Sequence, residues 1–140
     1  MKYDYLIDVP TMMRKHLETL GLWIGYQGKP IEKEMPNTGG FIIKTVYSGT
    51  EARELGNNFA ESVPAFFQIN SYFPTDSGTG FLVQSQQVAQ LFKRGVELAY
   101  NNTKVKIKTC EVSGSPVTEG SFEVQAITVY FDVWICDPVN

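Results

Sequence analysis

One histidine and two cysteines among 140 residues leave little material for metal or nucleophile chemistry. A metal site needs several His, Cys or carboxylate ligands at set spacing. His16 and the distant Cys110 and Cys136 do not supply them. The two cysteines are also too few for a disulfide framework, so they read as small, semi-buried thiols. No apolar run approaches the roughly 20 residues that span a bilayer. The start, Met1-Lys2-Tyr3-Asp4-Tyr5, has no apolar stretch of the secretory kind. A basic excess is missing too. The formal net charge is -3, whereas a dedicated nucleic-acid binder usually carries many surplus cations. Neither a repeat nor a low-complexity tract occurs.

What is present fits one globular domain covering residues 1–140. A helix is expected near Pro10–Leu20, with Asp8 as its cap and Pro10 in its first turn. Val9, Met12, Met13, His16, Leu17 and Leu20 form its apolar stripe, and Gly21 ends it. A short strand is expected at Leu22–Gln27. Gly28–Gly40 reads as irregular, and Phe41–Tyr47 as a strand. Ser48–Ser62 is polar and without a clear element, which marks a functional or mobile loop. Val63–Phe73 alternates, with Ala65, Phe67, Ile69, Ser71 and Phe73 on one face and Phe66, Gln68, Asn70 and Tyr72 on the other. Pro64 suggests that this end is at an edge or not yet paired.

Pro74–Gly80 forms a turn with Thr79 as N-cap, leading into a helix over Phe81–Lys93. Phe81, Val88, Ala89 and Phe92 should face the core, and Gln84, Gln87 and Gln90 should face away. Gly95 terminates that helix. Lys104–Val112 alternates, with Lys104, Lys106 and Lys108 on one face. Phe122–Cys136 is a long strand whose two faces are both largely apolar, so cover is expected on each. The fold class that follows is α+β, a mainly antiparallel sheet packed by two helices.

Few residues suggest chemistry. His16 lies on the apolar stripe, without the acid and nucleophile of a triad. Asp76-Ser77-Gly78-Thr79-Gly80 precedes a helix, as phosphate loops do. Phe81, however, stands where the phosphate loop has lysine, and Val83 where the dinucleotide motif has glycine. Glu32, Glu34, Glu51, Glu54 and Glu61 lie in polar segments that give no burial to raise a pKa. The three lysines read as a solvated edge or sheet face, since no aromatics are interleaved with them.

Phe67-Gln68-Ile69-Asn70-Ser71-Tyr72-Phe73-Pro74, the Gly78-Thr79-Gly80 turn, the helix and Leu91-Phe92-Lys93-Arg94-Gly95-Val96-Glu97-Leu98 occur in succession. This order resembles the tail terminator-like proteins of long-tailed bacteriophages, relatives of the lambda tail terminator. In that family a strand of similar pattern leads through a Gly-containing turn into a helix ending in a Phe-x-Arg-Gly segment. A Val-x-Ile strand then follows, here Val105-Lys106-Ile107, and an apolar closing strand. Gly28–Gly40 has no clear counterpart.

The resemblance implies a structural virion subunit and not an enzyme, with no cofactor and no metal. Such a subunit forms a ring, most often a hexamer. It caps the tail tube, ends its polymerisation and presents a surface to the head or neck. The implied partners are further copies of itself, the major tail tube protein and a head-completion or neck protein. Membranes play no part, and genome DNA would pass through the ring without sequence-specific binding. The implied location is the virion tail or neck, after assembly in the host cytoplasm. Candidate interface residues are Glu51, Arg53 and Glu54 in the long loop, and Tyr130 and Trp134 on the closing strand. Two other expectations stay open: another head–tail joining or tube subunit, and a small anion-binding module or enzyme using the Gly78–Gly80 turn.

Overall fold

Two strands of 15 residues each, β4 (Ala60–Pro74) and β8 (Phe122–Cys136), pair antiparallel along their whole length and form the spine of the molecule. A computed structural model describes residues 5–26, 35–47, 53–55, 60–75, 80–100, 103–113 and 116–136. The shorter strands are β1 (Ile24–Tyr26), β2 (Gly40–Tyr47), β3 (Arg53–Leu55), β5 (Glu97–Tyr100), β6 (Thr103–Val112) and β7 (Val117–Glu119). The sheet order is β1-β2-β4-β8-β6-β5, with β3 beside β4 and β7 beside β8. Pairing is antiparallel except between β1 and β2, so the sheet is mixed but mainly antiparallel. Two helices, α1 (Tyr5–Glu18) and α2 (Gly80–Leu91), pack on one face, and the fold is α+β.

Period-two alternation decides what is buried. Ala65, Phe67 and Ile69 of β4 point to the helices with Ile127, Val129, Phe131 and Val133 of β8. Val9, Met12, Met13 and Leu17 of α1, with Val88 and Phe92 at α2, complete this core. Gly21 has φ of 75°, the left-handed conformation of a helix-ending glycine, whereas Gly95, with φ of 91°, lies in the turn after α2 and does not itself end the helix. Gly39 is required for space as well. A Cβ there would fall 2.1 Å from the Tyr72 carbonyl oxygen.

Several expectations are corrected. α1 starts at Tyr5, so Asp8 is inside its first turn and Pro10 inside the helix. Burial of Val9 at 0% exposure holds this turn despite the proline's missing N–H. The Ser48–Ser62 stretch contains β3, which pairs with the start of β4. Pro64 lies in the middle of the sheet, not at an edge. On one flank it falls between the ends of β2 and β3, and on the other it is opposite Asp132. β6 is flanked by β5 over residues 103–106, so that part is not an edge, and Lys104, Lys106 and Lys108 are exposed on the sheet face, as one of the two readings had it. Its alternation breaks at a bulge between Ile107 and Thr109. α2 stops at Leu91, so Lys93 and Arg94 lie in the following turn.

Gln84 does not face away. It hydrogen-bonds to the buried Ser71 hydroxyl. Next to it, Ser85 donates to Gln125 Oε1 at 2.6 Å, and Gln125 Nε2 donates to the Ser113 carbonyl at 2.7 Å. α2 is thus seated on the sheet by satisfied polar groups as well as by apolar ones.

Candidate functional site

β8 has a second face, directed away from the helices. Phe122, Val124, Ala126, Thr128, Tyr130, Asp132 and Trp134 succeed one another along it. One end of this face is closed. Ile42 and Tyr72 are buried there, and the Tyr72 ring meets Phe122 edge-on at 6.1 Å. Burial, then the charge of Glu119 and a hydrogen bond to it, push the Tyr72 phenol above its ordinary pKa.

The other end is open. Tyr130 is 37% exposed, and its ring lies 6.0 Å from that of Phe66, its partner across the ladder. These rings belong to an open groove of ≈ 480 Å³, whose other lining residues include Pro64, Lys108, Thr109 and Glu111. The β6 bulge makes the groove possible. Lys108 is the extra residue, and Thr109 is opposite Tyr130. Two successive residues of β6 therefore line the same groove. Lys108 Nζ is 3.1 Å from Asp132, and Lys104 Nζ is 3.4 Å from Glu97. The Lys104–Glu97 pair is exposed on both sides and contributes little stability, whereas in the other pair Lys108 is exposed and Asp132 partly buried.

The candidate interface residues are partly brought together. Arg53 is opposite Ser62, Ser62 opposite Trp134, and Trp134 opposite Lys104. One rung of the sheet therefore joins Arg53 to Trp134. Tyr130 lies four positions back along β8, on the same face as Trp134. Glu54 is on the adjacent rung, opposite Glu61. Glu51 lies outside the described residues. Pro64, Phe66, Lys108, Thr109 and Glu111 were not among the candidates. Phe66 could have been found from the alternation of β4. The bulge that presents Lys108 and Thr109 together has no sequence signal.

The remaining chemistry-bearing groups are structural where they are described. His16 Nε2 donates to the Leu91 carbonyl at 2.8 Å, and its ring meets Phe92 edge-on. It ties α1 to the end of α2. Cys110 is a free, half-buried thiol, pushed up to about 11 by burial and then by Glu111. The side chain of Cys136 lies outside the described residues, and so do residues 76–79 of the proposed anion turn. Among the described residues no group of three or more His, Cys, Asp or Glu could hold a metal ion. No described helix is long and apolar enough to cross a membrane. A second groove, of ≈ 460 Å³, lies between the helices and involves Leu20, Val83 and Leu91 with Gln86, Gln87 and Gln90.

No family profile and no curated protein matches the chain. Among solved structures it is similar to a protein that carries no functional name. The TM-score is 0.67 at 16% identity, over 89% of this chain and 92% of that one. At that identity the likeness concerns the fold.

Proposed function

We propose that the chain is a structural virion subunit of the tail terminator kind. It forms a ring, with six copies as the expected number. The ring caps the tail tube, ends tube growth and offers a surface to the head or neck. The observation that carries this reading is the far end of the outer sheet face, where Phe66, Tyr130 and Trp134 stand on the side of the sheet away from both described helices. Aromatic side chains on a rigid element are effective interface anchors. The order of strand, turn and helix over Phe67–Leu98 supports the family assignment. The role requires no reaction and no cofactor.

A ring of one subunit uses a head-to-tail interface and buries surface that a monomer exposes. Mass measurement of the purified chain, with and without preformed tail tubes, tests the reading. The expected result is a ring, free in solution or assembled on tube ends. A chain that stays monomeric and ignores tube ends would overturn it. Long tubes formed by the chain alone would instead mark a tube subunit.

A further inference from the structure

We propose that α1 is a clasp on the two outermost strands of the sheet, and that its hold keeps those strands closed to strand addition by a second copy of the chain. β1 and β5 stand at opposite ends of the strand order, five steps apart. At about 4.8 Å per step, a flat sheet would hold them about 24 Å apart. Both nevertheless reach consecutive residues of one helix. Arg14 Cζ lies 5.1 Å from the centroid of the Tyr26 ring, and Arg14 Nη1 donates to the Tyr26 hydroxyl at 2.9 Å. Lys15 Nζ lies 4.9 Å from the centroid of the Tyr100 ring. The sheet is therefore curled around α1, and on each outermost strand a core-facing tyrosine meets a cation of the helix.

The helix side of each strand decides whether another can be added. An unpaired strand edge is a template for any extended chain. An added strand is stabilised when its alternate side chains are buried beside apolar neighbours, here Ile24 and Tyr26 or Leu98 and Tyr100. Those places adjoin Arg14, which has Glu18 at 3.0 Å, and Lys15. Covering them takes an ion pair or an ammonium group out of water, and that cost opposes the gain. Hydration guards the strands and not net charge, since Glu18 balances Arg14. The other margins are blunted by their own residues. Residues 108–112 of β6 extend past β5 and carry the bulge with Lys108 and Glu111, and β3 is three residues long with Arg53 and Glu54. The clasp serves a monomer and a ring alike, so it is independent of the terminator reading.

Two double variants of the full chain test the clasp. Arg14→Leu with Lys15→Leu keeps helix propensity and replaces both cations by apolar groups. Arg14→Ala with Lys15→Ala removes both contacts. Thermal melts establish that the variants fold. The native chain should keep one mass on dilution and concentration. The leucine variant should grow with concentration into open-ended polymers, its average mass rising about tenfold or more. In the alanine variant, amide hydrogen exchange at Ile24–Tyr26 and Glu97–Tyr100 should quicken about threefold, the worth of one exposed cation–π contact, while β4 and β8 stay as protected as in the native chain. A leucine variant of native mass at every concentration, or an alanine variant with native exchange at both strands, would overturn the proposal. So would amides of β1 and β5 that become protected only when native copies assemble, because strand addition would then be the native contact. Should the leucine variant not fold, the exchange result on the alanine variant decides alone.

Discussion

Phe131 and Tyr130 are neighbours in the chain and opposites in surroundings. Phe131 is 1% exposed and belongs to a core drawn from four strands and both helices, whereas Tyr130 is 37% exposed beside an open groove. The contrast runs along the whole open half of β8. The inner face fixes the register, because a slip by one residue would place its apolar set in water. The outer face then inherits fixed positions without having to supply the stability. Recognition chemistry can change there while the fold stays the same.

The largest test of this contrast is Phe131→Ala. It should destabilise the chain by about 3–5 kcal/mol, the usual loss for a buried phenylalanine, measured by urea unfolding. A loss under about 1 kcal/mol would mean that the inner face is not the core. Next is Ser85→Ala, which leaves Gln125 Oε1 without its donor in a buried site. About 1–3 kcal/mol is expected, and an unchanged unfolding midpoint would refute the role of this bond in seating α2. Tyr130→Ala should alter stability by under about 1 kcal/mol, as exposed positions generally do. It should nevertheless weaken ring or tube-end association, seen in the same mass measurement that tests the ring. Equal losses at Tyr130 and Phe131 in the unfolding experiment would abolish the distinction between the faces.

The smallest effect concerns Cys110, which lies on the inner side of β6 opposite Val129. Its thiol pKa is raised from 9.0 to about 11 in the folded chain. The folded state therefore holds this proton more tightly than the unfolded one. Its contribution is fully present below pH 9 and is lost as pH rises towards about 11. Denaturation midpoints of the native chain should fall over that window more than those of Cys110→Ala. Parallel curves would show that the thiol is not buried against the core.

Much of the inner face was legible in the sequence. The strand Phe122–Cys136 has the bounds its alternation suggests, and the α1 stripe is buried at Val9, Met12, Met13 and Leu17. Apolar periodicity reports burial directly, so these elements declare themselves. The errors have a common origin in long-range pairing. β3 is too short and polar to be recognised alone, and it exists because β4 extends to meet it. Ser71, Ser85 and Gln125 are polar and carry no apolar signal, yet all three are buried because each finds a hydrogen-bond partner across the fold. The candidate site was half legible. Tyr130 and Trp134 follow from alternation, whereas the groove beside them depends on a bulge that only the pairing of β6 with β8 defines.

That bulge also governs how the chain can vary in length. Ile107 faces the core and Thr109 lies opposite Tyr130, so the alternation resumes after Lys108 as if it were absent. Lys108 is an insertion that the fold has already absorbed. Losing it would leave every other residue of β6 on its present side of the sheet. A residue gained or lost in the middle of β8 has no such outlet and would exchange core for surface over half the strand. Among related chains, gaps should therefore gather at the position of Lys108 and avoid Phe122–Cys136.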